Sequence, residues 1–136
     1  IPSLVEDISA EQMLEIQKKK KQFYPKHLGE SQLNEFLSSF LRQMSEHHVT
    51  ALVTTAKRES AEAVLEVHGL KDFFDFCIFG EDVEITKPHP EAYQRALKRA
   101  RLNSSEVIAF EDSESGMRAA TQAGIRTIQI RSFYDA

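Results

Sequence analysis

From residue 49 onward, short apolar runs alternate with stretches in which apolar residues return every three or four positions. Val49 to Val53 is a β-prone run that ends in Thr54-Thr55. A helical pattern follows, with Ala61, Val64, Leu65 and His68 on one face and Gly69 as its stop. The unit then repeats. Phe74 to Phe79 is apolar and strand-like, and Pro90 to Leu102 carries Tyr93, Ala96, Leu97 and Ala100 at helical spacing. Val107 to Phe110 opens a third unit, whose helix carries Met117, Ala120 and Ala123 and stops at Gly124, and Thr127 to Ile130 reads as a fourth strand. Apolar strands alternating with amphipathic helices imply an α/β fold, in which parallel strands are covered on both faces and joined by right-handed crossovers.

The first part of the chain is less regular. Ser9-Ala-Glu-Gln12 has the form of a capping box, which predicts a helix running to about Tyr24. Its Lys18 to Lys21 run is best read as a solvated helix face. After a break at Pro25 to Gly29, Leu33, Phe36, Leu37, Phe40, Leu41 and Met44 recur at helical spacing, so one face of a second helix should pack on a core. His47 and His48 close that helix. Adjacent histidines point in different directions on a helix, so they are read as end-of-helix residues rather than a metal site, and the isolated His27 is read the same way.

Composition narrows the function. The 136 residues are 41% hydrophobic and 28% charged, which fits one globular domain with a buried core or a domain plus part of another, and the formal charge of −4 offers no basic stripe for a nucleic acid. A small substrate is the expectation. The single cysteine, Cys77, rules out a disulfide framework within one chain, and a reduced cytoplasmic setting follows as the default. No apolar run approaches the roughly 20 residues of a membrane-spanning helix. Ile1-Pro-Ser-Leu-Val-Glu-Asp7 does not resemble a signal peptide and lacks an initiator methionine, which suggests a processed or truncated start.

In a parallel sheet, ligands bind beyond the carboxyl ends of the strands. Thr54, Thr55 and Lys57 follow the first of these strands, Gly80 to Lys87 the second, and Glu111, Asp112 and Ser113 the third. Two hydroxyls, two lysines and two adjacent carboxylates are what a phosphate with a magnesium ion requires. Carboxylates at the end of a buried strand repel each other and call for a cation, and hard oxygen ligands suit Mg2+. The competing reading is that Asp112 and Ser113 only cap the next helix. Gly116 would let that helix approach closely. In Lys87-Pro88-His89-Pro90, the prolines fix the backbone around a lysine that can neutralise a phosphoryl group, while His89 is assigned to the turn. Thr54 and Thr55, with nearby amides, can hold phosphate oxygens, and Lys57 can contact the substrate.

Taken together, Leu52-Val-Thr-Thr-Ala-Lys57, Lys87-Pro-His-Pro90 and Phe110-Glu-Asp-Ser-Glu-Ser-Gly116 resemble three motifs of the haloacid dehalogenase superfamily. The likeness is greatest to its capped small-molecule phosphatase and β-phosphoglucomutase branch and spans about residues 30 to 131. It implies a three-layer α/β/α core with a parallel Rossmann-like sheet, over 28–136, preceded by the end of a helical cap at 1–27. It also implies that Thr54 binds the transferred phosphoryl group, with Thr55 as the fallback. Lys87 would balance its charge, and Asp112 would bind Mg2+, with Glu111 as a further ligand or a partner behind it.

The family's first motif, an Asp-x-Asp that supplies the nucleophile at the end of the first strand, is absent. Glu6-Asp7 and Asp72 to Asp75 have neither the spacing nor, as sequence, a preceding buried strand. The resemblance therefore leaves the first strand missing, to be supplied by the same parent chain or another molecule between the strands ending at Thr54 and Phe110. It leaves these 136 residues inactive alone. The C-terminus also reads as short of a closing helix. The leading expectation is a magnesium-dependent phosphatase for a small phosphorylated metabolite, acting through an aspartyl-phosphate. The alternatives are a β-phosphoglucomutase-type mutase and a non-catalytic binding module on the same fold.

Overall fold

A computed structural model describes residues 3–6 and 35–130 of the chain. The predicted helix from Ser9 to Tyr24, the lysine run and His27 lie outside the described residues. The elements are β1 (Ser3–Glu6), α1 (Glu35–Met44), β2 (Ala51–Val53), α2 (Arg58–Val67), β3 (Phe76–Ile78), α3 (Glu91–Ala100), β4 (Val107–Glu111), α4 (Glu114–Gln122) and β5 (Arg126–Gln129).

All the strand pairs are parallel. β2 pairs with β3, while β4 is flanked by β1 on one side and β5 on the other. The two paired groups meet where β1 runs alongside β2. The strands therefore follow the order β3, β2, β1, β4, β5, with the hydrogen-bonded ladder interrupted between β2 and β1. This corrects one expectation. The slot between the strands ending at Thr54 and Phe110 is filled by this chain's own Ser3–Glu6, whose register sets Glu6 opposite Phe110. An open β4 edge would leave backbone donors and acceptors unpaired, and a short Ser-Leu-Val-Glu segment is compatible with a strand there. Ser3–Glu6 thus pair within the core sheet instead of opening a cap remnant. The rest of that expected cap, 7–27, lies outside the described residues.

Strand alternation builds the three layers. Ala51 and Val53 share one core cluster with Ile78, Val107 and Ala109 of the sheet, Ala92, Tyr93 and Ala96 of α3, and Ala119 and Ala120 of α4. Leu52 points the other way and packs with Leu41 of α1, Val64 and Leu65 of α2, Leu70 and Phe74. β2 is buried along its whole length because both of its faces are covered. It starts later than the apolar run predicts: the Thr50 carbonyl accepts from the Asp75 amide at 2.8 Å, while the Thr50 amide donates to the Asp75 carboxylate at 2.8 Å. Helix ends follow local chemistry. Gly69 takes the left-handed conformation after α2, at φ 66°. Cys77 is half-buried, and burial pushes its thiol up to about 11, so it is not a reactive thiolate at neutral pH.

Candidate phosphoryl-transfer site

Parity along β4 decides where its last residue points. Val107, Ala109 and Glu111 lie on one face and are all buried, so Glu111 enters the layer between the sheet and helices α3 and α4. There its Oε2 accepts hydrogen bonds from Lys87 Nζ, at 2.8 Å, and from the Tyr93 hydroxyl of α3. Its Oε1 lies over Gly116 of α4, so close that a Cβ on that residue would come within 1.8 Å. Gly116 is therefore demanded by the carboxylate rather than by backbone conformation.

Lys87 is the keystone of the carboxyl edge. Its side chain is 1% exposed, and its ammonium also donates to the Val53 carbonyl at 2.9 Å, so it ties the end of β2 to the end of β4 across the position of β1. Burial pushes Lys87 below the usual lysine range, and the negative charge of Glu111, then of Asp112, opposes that shift. Burial likewise pushes Glu111 above the usual carboxylate range, opposed by Lys87 and the Tyr93 hydrogen bond. A buried charge pair of this kind is costly to desolvate and contributes little net stability, so a role in placing charge accounts for it better than stability does.

The loop that delivers Lys87 is held by Glu91. Its carboxylate accepts from the amides of Glu84 and Ile85, each at 3.0 Å, and from Arg95 at 2.8 Å. These contacts, led by the Glu84 amide, lower it from 4.5 to about 2. A depressed carboxylate stabilises the fold above its unfolded value, and that contribution is lost as pH falls through the folded one. Glu91→Gln is therefore expected to speed amide exchange at Glu84 and Ile85 at neutral pH. The difference from the unaltered protein should shrink as pH drops below about 4.5 towards about 2. Equal exchange at neutral pH would remove Glu91 as the anchor. His89 takes the turn role, its Nδ1 accepting from the Glu91 amide at 3.1 Å.

The remaining predicted residues separate into two groups. Thr54 is buried at the end of β2; its amide donates to the Ile78 carbonyl, and its hydroxyl oxygen accepts from the Ala56 amide at 3.1 Å. Thr55 and Lys57 are exposed, and Lys57 occupies the N-cap position of α2 without a side-chain cap bond. The first amide of α2, Arg58 N, is taken by the Glu81 carboxylate at 2.7 Å, and Arg58 reaches Asp82 at 3.4 Å. The two loops at the β2 and β3 ends are thereby joined.

Asp112 follows β4 at the same edge, half-buried, with both carboxylate oxygens shielded. The helix cap that sequence left open for this stretch belongs to Ser113, whose hydroxyl accepts from the Gly116 amide at 3.0 Å. Asp112 is therefore not needed for capping. Among the described residues, no group of three His, Cys, Asp or Glu side chains could enclose a metal ion. Mg2+ is commonly held by one or two carboxylates together with water and substrate phosphate, and Asp112 suits that kind of site. Glu111, with one oxygen on Lys87 and Tyr93, fits the role of a partner behind the site better than that of a ligand.

Sequence comparison agrees with this architecture. A sequence model described as haloacid dehalogenase-like hydrolase matches residues 3–130. The phosphorylated carbohydrates phosphatase of Thermotoga maritima is 32% identical over 133 residues, covering 94% of this chain and 61% of that protein. The pyrophosphatase PpaX of Halalkalibacterium halodurans is 35% identical over 77 residues, covering 57% of this chain and 36% of its own length. The solved structure of CbbY from Rhodobacter sphaeroides in complex with phosphate matches with a TM-score of 0.74 at 27% identity, covering 89% of this chain and 56% of that one. The chain thus spans no more than 61% of the length of any of these three.

Proposed function

Because the chain belongs to the haloacid dehalogenase-like hydrolases, we propose that it is the core of a magnesium-dependent phosphatase for a small phosphomonoester. The reaction passes through an aspartyl-phosphate, and because no Asp-x-Asp occurs in the sequence its nucleophile is assigned to no residue here. The observation that carries this reading is Lys87: on a side chain only 1% exposed, its ammonium is held at the carboxyl edge between the Val53 carbonyl and Glu111. Such a fixed charge is worth most where a phosphoryl group gains negative charge on its oxygens, because no reorganisation is needed when it reacts.

In this reading Thr54 holds the transferred phosphoryl group and Lys87 neutralises it. Asp112 is the residue that would hold Mg2+, which supplies charge neutralisation and orientation of phosphate oxygens. Thr55 and Lys57, exposed at the mouth, face the rest of the substrate. The nucleophilic carboxylate forms a bond to phosphorus as the ester oxygen leaves, and water then cleaves the acyl phosphate to release inorganic phosphate. A phosphorylated carbohydrate is the favoured substrate class, on the strength of the relative from Thermotoga maritima.

The test is phosphate release from a panel of sugar phosphates and other phosphomonoesters by the complete protein, with and without Mg2+. Asp112→Ala should weaken magnesium dependence and turnover together, by about two orders of magnitude or more. The 136-residue chain alone should release none. An Asp112→Ala variant with unchanged turnover and an unchanged magnesium titration would take Asp112 out of the site. Conversion of one sugar phosphate into its isomer without net phosphate release would move the assignment to a mutase.

A further inference from the structure

Tyr93 enters the sequence pattern only as one of several apolar positions on the inner face of α3, where a phenylalanine would serve as well. In the structure it is 0% exposed, yet it carries a hydroxyl into the core. A buried tyrosine needs a partner for that group. The partner is Glu111 Oε2, the same oxygen that accepts from Lys87. The Lys87 ammonium lies 5.3 Å from the centre of the Tyr93 ring, so ring and hydroxyl bound the lysine and its carboxylate from the same side.

The other sides of the carboxylate are closed as well. Gly116 lies directly against Oε1, which has no hydrogen-bond partner among the described residues, so only the bonds at Oε2 set how the group is turned. Two donors share that oxygen. One is on a flexible four-carbon stem, and the other is on a rigid ring fixed in α3 among Ala92 and Ala96. The rigid donor sets the geometry.

We propose that Tyr93 is a positioning residue: its hydroxyl fixes the Glu111 carboxylate, which in turn fixes the Lys87 ammonium at the carboxyl edge. The consequence for turnover rests on the phosphatase reading, but the hold on Lys87 does not. Tyr93→Phe keeps the ring and removes only the hydroxyl, so the core stays filled.

Two readouts test this. In protein labelled with nitrogen-15 at lysine side chains, a buried, bonded ammonium gives a slowly exchanging proton signal, and the Lys87 signal is identified by its loss in Lys87→Met. In Tyr93→Phe that signal should shift and its protons should exchange at least about tenfold faster, the loss of one hydrogen bond to a charged group. In the complete enzyme, kcat should fall about tenfold with KM within about twofold, as expected for a group acting through transition-state charge. A merely structural hydroxyl would lower the melting temperature and leave both readouts in place. An unchanged Lys87 signal overturns the proposal whatever the turnover, and so does a changed signal with unchanged kcat in an active enzyme. If the unaltered complete protein hydrolyses no phosphomonoester while the Lys87 signal changes as described, Tyr93's hold on Lys87 stands and the phosphatase reading falls.

Discussion

Lys87→Met is expected to abolish most turnover and to destabilise the fold at the same time. The kcat should fall by about two to three orders of magnitude, the usual cost of deleting one preorganised charge or donor at a reacting group. KM should change far less. Stability should fall by about 3–5 kcal/mol at neutral pH, because removing one partner of a buried pair leaves the other charge uncompensated. The variant's deficit should shrink in acid. Glu111 already has a raised pKa from burial, and without the lysine it rises further. A group whose folded pKa is raised contributes most below its unfolded value and loses that contribution as pH climbs through the folded one. Denaturant melts of both proteins across pH 4 to 8, with kinetics on the complete enzyme, check this. A loss confined to KM would mean that the lysine only gathers substrate, and a deficit that grows in acid would mean that Glu111 is not the orphaned group.

The second large effect is at Gly116, where helix propensity and packing predict opposite signs. Gly116 lies inside α4, and glycine to alanine in a helix is ordinarily stabilising by about 1 kcal/mol. Here the added Cβ would meet Glu111 Oε1 at 1.8 Å and Cδ at 2.3 Å, with no solvent route for a carboxylate that is 0% exposed. Gly116→Ala should therefore be destabilising by about 1–3 kcal/mol or more, the range for overpacking a filled core, and should displace Glu111 from Lys87. Gly69→Ala is the matched control. Nothing lies within 4 Å of its added Cβ, and its cost arises only from the left-handed backbone, about 1–2 kcal/mol. Both variants should lose stability, but only Gly116→Ala should lose turnover. An active, stabilised Gly116→Ala protein would show that the carboxylate does not occupy that position.

Much of this was legible in the sequence, for identifiable reasons. The strands and helices from residue 49 onward follow from the switch between continuous and helical periodicity, and the edge residues Thr54, Lys87 and Asp112 follow from where those strands end. Two features were not legible. The strand at Ser3–Glu6 is too short to show periodicity, and its place beside β4 is a long-range pairing that local pattern cannot reveal. Tyr93 was read as plain core because spacing reports burial and not the partner of a polar tip. One signal was available: Val107, Ala109 and Glu111 share parity on β4, so an inward carboxylate required inward donors, and a tyrosine on a facing helix is such a donor. The same reasoning would have turned Glu111 away from a metal-ligand role.

The most direct test of the central claim, that Lys87 and Asp112 form a phosphoryl-binding edge, is calorimetric titration of inorganic phosphate into the complete protein with Mg2+ present and absent. Saturable binding that needs Mg2+, and that is lost in both Lys87→Met and Asp112→Ala while each variant still melts cooperatively, is the predicted result. Binding that is indifferent to Mg2+ and retained by both folded variants would contradict it.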